Sequence, residues 1–162
     1  MLQIFGEYPA ESYVGGKALP RNSRRTFNSW ATQSACYFEL IVPYLDDFAT
    51  RYGGSSLTSI NALMVLDSND LKVAIRRTDQ MMEDFSTLEI SWRYHQGSGI
   101  LTSGEERQVC VKAYKRRLLN VVFWLRFWFA GALERNHCIV VGNGVCYRVL
   151  AGISNGKGDI YS

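Results

Sequence analysis

The chain has 162 residues, 47% hydrophobic and 20% charged, with a net charge of +3. That balance excludes a disordered chain and suits one domain long enough to bury a core. The charge is unevenly placed: residues 1–38 sum to +2, 39–89 to −5 and 90–162 to +6, with 13 Arg against 5 Lys.

Such asymmetry marks a charged interaction surface, and the planar guanidinium fork suits phosphates and carboxylates. Residues 1–34 read as an irregular basic arm. Gly6, Pro9, Gly15, Gly16 and Pro20 punctuate it, and no apolar period is sustained. Arg21, Arg24 and Arg25 lie next to Phe27 and Trp30, a basic-aromatic pairing suited to an anionic partner. The opening residues lack the basic head and long apolar run of a secretory signal. The expected location is therefore intracellular, cytoplasmic or nuclear, with reduced cysteines.

A single α+β domain is expected over 35–152, followed by a loose tail over 153–162. Residues 35–42 are aromatic and β-branched and read as a strand. Pro43 then opens a helix that Gly53 stops. The run 57–66 predicts another strand. Ser68 or Asn69 caps a helix over 70–85, where Leu71, Ala74, Ile75, Thr78, Met82 and Phe85 repeat at three and four. Residues 87–95 alternate strictly, with Leu88, Ile90, Trp92 and Tyr94 on one side, the signature of a strand. Residues 107–114 alternate less strictly and can pair with it as a hairpin. Asn143-Gly144 is the preferred pair for a tight type I′ turn and predicts a last hairpin of 137–142 with 145–150. The expected fold is a mainly antiparallel sheet of about five or six strands against two or three helices.

The segment 112–129, KAYKRRLLNVVFWLRFWF, poses the functional question. Its apolar core, 118–133, is 16 residues long and contains Asn120 and Arg126. A membrane span needs about 20 apolar residues, so no transmembrane helix is expected. The unbroken length and the AGALER ending favour a helix with Leu118, Val122, Leu125, Phe129 and Leu133 on one side; a strand over 120–129 is the alternative. In either form the stretch is apolar nearly all round, which calls for a covering layer or a second subunit. Lys112, Lys115, Arg116 and Arg117 precede it and stay in water.

No enzyme motif withstands inspection. VGGKA at 14–18 lacks the first glycine and the Ser or Thr of a phosphate loop, with Glu11 and Ala18 in those places. GNGVCY at 142–147 has Tyr147 where a dinucleotide fingerprint needs its third glycine. DSND at 67–70 begins like a calcium loop but has Lys72 at its sixth position. Four cysteines and two histidines show no CxxC or HxxxH spacing, so no zinc site or other cofactor is expected.

The compact basic body with an N-terminal arm is a build that viral matrix-type scaffolds also use. The leading expectation is a non-enzymatic assembly protein. It would form a homo-oligomer and bind nucleic acid or an anionic membrane surface through Arg21, Arg24, Arg25, Lys112, Lys115, Arg116 and Arg117. Phe27, Trp30, Trp124, Phe127 and Trp128 are the interface candidates. The alternatives are a small enzyme or effector with a Cys nucleophile and a protein-binding adaptor or inhibitor.

Overall fold

The computed structural model describes residues 2–9, 35–59, 62–100 and 106–143. Along these, the elements run β1 (Leu2–Pro9), α1 (Ala35–Gly53), β2 (Leu63–Leu66), α2 (Ser68–Ser86), β3 (Ser91–Ile100), β4 (Glu106–Tyr114), α3 (Lys115–Glu134) and β5 (His137–Asn143). The α+β class stands, but not as a single sheet of five or six strands. The strands divide into a sheet of order β1-β5-β2 and a separate β3-β4 hairpin, both antiparallel. Burial explains the division. Cys138, Ile139, Val140 and Val141 are all buried, so β5 is covered on both faces between β1 and β2. Among the described side chains of the hairpin, Trp92, Tyr94 and Ala113 turn to the core while Arg93, His95, Cys110 and Lys112 are exposed, which suits a two-stranded ribbon leaning on helices.

Several expectations give way to the structure. The first positions of the 1–34 arm form β1, whose Leu2 and Ile4 are buried. Its register shifts between Ile4 and Gly6, a bulge that breaks the alternation and hides the strand in the sequence. The predicted strand 35–42 is the first half of α1. Cys36, Tyr37, Phe38, Ile41, Val42, Leu45, Phe48 and Ala49 are buried, while Glu39, Pro43, Asp47 and Thr50 face solvent. That is a helical period written in strand-favouring residues. Pro43 lies inside this helix, not at its start; on the exposed side its missing hydrogen bond leaves a carbonyl that water can reach. The left-handed residue that ends α1 is Gly54, φ 70°, one beyond Gly53. The expected strand 57–66 shortens to Leu63–Leu66, because Leu57 is held in a turn by its N–H donating to Asp46 Oδ1 at 2.6 Å.

α2 and α3 pack side by side. Leu71, Ala74, Thr78, Met81 and Phe85 of α2 are buried, as are Leu118, Val122, Leu125, Phe129 and Ala132 of α3. Helix, not strand, is therefore the form of 118–133. The cap of α2 is Asp67, whose side chain accepts from the N–H groups of Asn69 and Asp70; Ser68 and Asn69 already belong to the first turn. α3 ends on Asn136 at φ 53°, a left-handed position that Asn tolerates. Among the described residues, no helix is long and apolar enough to cross a membrane. The predicted hairpin partner 145–150, Arg21, Arg24, Arg25, Phe27, Trp30 and the tail lie outside the described residues.

Candidate basic-aromatic interface

The hairpin positions the first part of the site. Directly paired residues share a face, and the register pairs Ser91 with Tyr114, Arg93 with Lys112 and His95 with Cys110. These six stand on one side. Trp92 and Tyr94 stand on the other and pack against the core. Trp92 meets Tyr37 of α1 edge-to-face at 6.4 Å, and the Tyr114 N–H donates to the Tyr37 hydroxyl at 3.1 Å. The Tyr94 hydroxyl is pushed up to about 12 by its hydrogen bond to the Glu39 carboxylate and by burial. The inner face is thus fixed to α1, and the outer face is left polar and cationic.

Arg93 and Lys112 are like charges placed directly opposite, an arrangement that costs stability unless an anion lies between them. They line an open depression of about 420 Å³ together with Ser91, Trp92, Cys110 and Val111. Tyr114 joins this depression to α3. Lys112 Nζ and Arg117 Cζ each lie 5.5 Å from its ring centroid, within cation–π range. Lys115 is turned aside, its Nζ donating to the Ser86 carbonyl at 2.9 Å, so it clamps α3 to the end of α2. Arg116 and Arg117 are exposed.

The solvent side of α3 continues from there as aromatic surface. Phe123, Trp124 and Phe127 are 52%, 39% and 56% exposed. Their rings form a chain of edge-to-face contacts: Phe123 to Trp124 at 5.8 Å, Trp124 to Phe127 at 5.5 Å, and Phe127 to Trp128 at 6.3 Å. Trp128 is only half-buried and packs against the core, so it anchors the stripe. Arg126 does not enter it. Its Nε donates to Asp79 of α2 at 2.6 Å, which removes the one cation from the middle of the aromatic row. Beside the helix start, Ile90 is 81% exposed. It was expected on the same side as Trp92 and Tyr94, but β3 begins only at Ser91, so the alternation does not reach it.

The cations of this region differ from four arginines elsewhere, though exposed Arg76 of α2 is likewise outside any ion pair among the described residues. Arg51, Arg77, Arg126 and Arg135 pair with Asp70, Asp47, Asp79 and Glu7. Among the described residues, Arg93, Lys112, Lys115, Arg116 and Arg117 form no ion pair within 4.0 Å. The structure therefore brings Lys112 and Arg117 together around Tyr114, adds Arg93, which the sequence reading missed, and assigns Lys115 a structural bond. The missing signal was cross-strand register: once 87–95 and 107–114 are paired, Arg93 falls beside Lys112.

A second charged cluster is structural. Glu7 is buried, and Arg135 grips it with Nε and Nη2 at 2.6 and 2.9 Å while His137 Nδ1 lies 2.6 Å away. Burial pushes the Glu7 carboxyl up, but the hydrogen bonds and charges of Arg135 and His137 together hold it below the ordinary range. Gly131 leaves room for this grip: a Cβ there would meet the Arg135 guanidinium at 3.0 Å. The cluster ties β1 to the start of β5. No group of three side chains that could hold a metal ion occurs among the described residues.

No family model, curated protein or solved structure matches this chain.

Proposed function

We propose that the protein is a non-enzymatic scaffold that self-associates and docks on an acidic partner through the surface formed by the β3-β4 hairpin and α3. One observation carries this reading. Lys112 and Arg117 meet over the Tyr114 ring and Arg93 stands opposite Lys112 across the hairpin, all three without carboxylate partners among the described residues, next to an exposed aromatic row. Like charges held together this way favour an arriving anion, and the apolar row favours any surface that removes it from water.

The test is light scattering and co-sedimentation at low and high salt, with RNA or with anionic vesicles. Binding to either ligand that weakens as salt rises is the expected result. Arg93→Gln combined with Lys112→Gln lowers it while leaving the fold intact. A monomer that ignores both ligands at low salt overturns the reading.

A second reading has its own observation. Cys110 is exposed and paired with His95 across the hairpin, which puts a thiol and a candidate base on one face. An effector with Cys110 as nucleophile would show one thiol labelled rapidly at mildly acidic pH, and His95→Gln would slow that labelling. Slow labelling unaffected by His95→Gln removes it.

A further inference from the structure

On the reading that this surface docks on an acidic partner, we infer that the partner is the phosphate-bearing surface of a lipid bilayer. α3 then lies in the plane of the interface on its Phe123, Trp124 and Phe127 side. Three features favour lipid over nucleic acid.

The first is the geometry of the rings. A base needs an open aromatic face to stack on. Here successive rings meet edge-to-face, with interplanar angles of 78°, 82° and 81°. Neighbours cover part of each face, and what reaches solvent is a continuous greasy ridge. Acyl chains and the glycerol region accept such a ridge in any orientation.

The second is segregation. A nucleic-acid groove interleaves cations with aromatics so that each base and its phosphate are held together. On α3 the two kinds are separated along the helix. Arg116 and Arg117 occupy the first turn, and Phe123, Trp124 and Phe127 follow. The single cation within the aromatic reach, Arg126, is drawn sideways to Asp79. With the helix in the interface plane, the long arginines reach back up to the headgroups while the bulky apolar side chains farther along enter a few ångströms deeper.

The third is continuity with the hairpin. Lys112 and Arg117 share the Tyr114 ring, and Arg93 stands opposite Lys112 over the open depression. A lipid headgroup phosphate can settle between Arg93 and Lys112 while the ridge enters the bilayer beside it. Tyr114, 38% exposed, occupies the boundary, the level at which amphipathic rings gather.

The experiment uses the full chain with vesicles of phosphatidylcholine alone or mixed with phosphatidylserine, and with RNA as the competing partner. Flotation with the mixed vesicles, weakened but not abolished by high salt, is expected: the cations supply the salt-sensitive part and the ridge the rest. Arg116→Gln with Arg117→Gln lowers partitioning at low salt, about fivefold per charge, and spares the high-salt remainder. Phe123→Ser with Phe127→Ser removes that remainder, with circular dichroism confirming that the helix still forms. Brominated lipid quenches tryptophan fluorescence of the parent; Trp124→Phe lowers that quenching, whereas Trp92→Phe leaves it, because Trp92 is packed inward against Tyr37.

Salt-sensitive RNA binding without vesicle binding overturns the bilayer inference and leaves the acidic-partner reading standing. Binding to neither overturns both. If vesicles are ignored and Phe123→Ser with Phe127→Ser converts an oligomer to a monomer, the ridge is a contact between copies and the inference falls.

Discussion

α2 and α3 are helices of 19 and 20 residues that pack against each other, and their inner faces follow the same rule. Each buries five side chains at three- and four-residue spacing. Their outer faces do not correspond. α2 shows solvent Lys72, Arg76, Asp79, Gln80 and Glu83, whereas α3 shows it Arg116, Arg117, Asn120, Phe123, Trp124 and Phe127. Both helices satisfy the core equally, so folding alone does not demand the aromatic face of α3. A residue that burial does not require, repeated three times on one exposed row, points to a contact outside the described fold.

The largest effect expected from this contrast separates the two sides of one helix. Phe129→Ala empties a fully buried site and should cost about 3–5 kcal/mol in urea unfolding. Phe127→Ser, two residues earlier and 56% exposed, should change stability by about 0.5 kcal/mol or less while raising solubility. Equal losses at the two positions would mean that Phe127 is covered in the folded protein.

Next in size is the buried carboxylate that ties β1 to β5. Glu7→Gln removes charge-assisted bonds to Arg135 and should cost roughly 1.5–3 kcal/mol. The pH dependence follows from the same group. The folded Glu7 carboxyl is held below its ordinary value, so the unfolded chain takes up protons first as pH falls. Its contribution is fully present above the ordinary carboxylate range, near pH 4, and is lost as pH falls through the folded value. Asp47 is lowered in the same direction, chiefly by its hydrogen bond to Arg77, but its side chain is 53% exposed, so solvent screening makes its share smaller. Acid titration of the melting temperature should therefore be flatter in Glu7→Gln than in an Asp47→Asn variant.

Smaller again is the start of α2. Asp67→Ala frees two N–H groups and should cost about 1 kcal/mol. The smallest effect concerns the link between the two helices. Arg126 and Asp79 are both about half exposed, and a double-mutant cycle should return roughly 0.2–1 kcal/mol. Arg126→Gln is informative for another reason. It leaves the aromatic row as it is, so vesicle binding should persist.

How much of this was legible in the sequence depended on whether one signal or two competed. α2 had a cap, a period and no β-branched run, so 70–85 was read almost to its ends. For α3 the length and the AGALER ending favoured a helix but left a strand over 120–129 as the alternative. The first half of α1 was not legible, because Cys36, Tyr37, Phe38, Ile41 and Val42 individually prefer strands and only their spacing along to Leu45 and Phe48 is helical; the half from Pro43 to Gly53 was read as helix. β1 failed for the opposite reason: two buried apolar residues and a bulge at Gly6 leave too short a pattern to register. The site was half visible. The basic run and the aromatic run are contiguous in sequence, so 112–117 and 123–128 announced themselves. Arg93 did not, since only strand pairing brings it to Lys112. Nor did the sequence disclose that Lys115 and Arg126 are spoken for by Ser86 and Asp79.

The passage from β4 to α3 has no loop: Tyr114 closes the strand and Lys115 opens the helix. The Lys115 N–H also donates to the Ile90 carbonyl at 3.0 Å, which stitches the entrance of the hairpin to the same point. With no slack between them, ribbon and helix behave like the blade and shaft of an oar. Because Tyr37 of α1 braces the ribbon from within, this junction fixes the angle at which the hairpin's cations stand to the aromatic row.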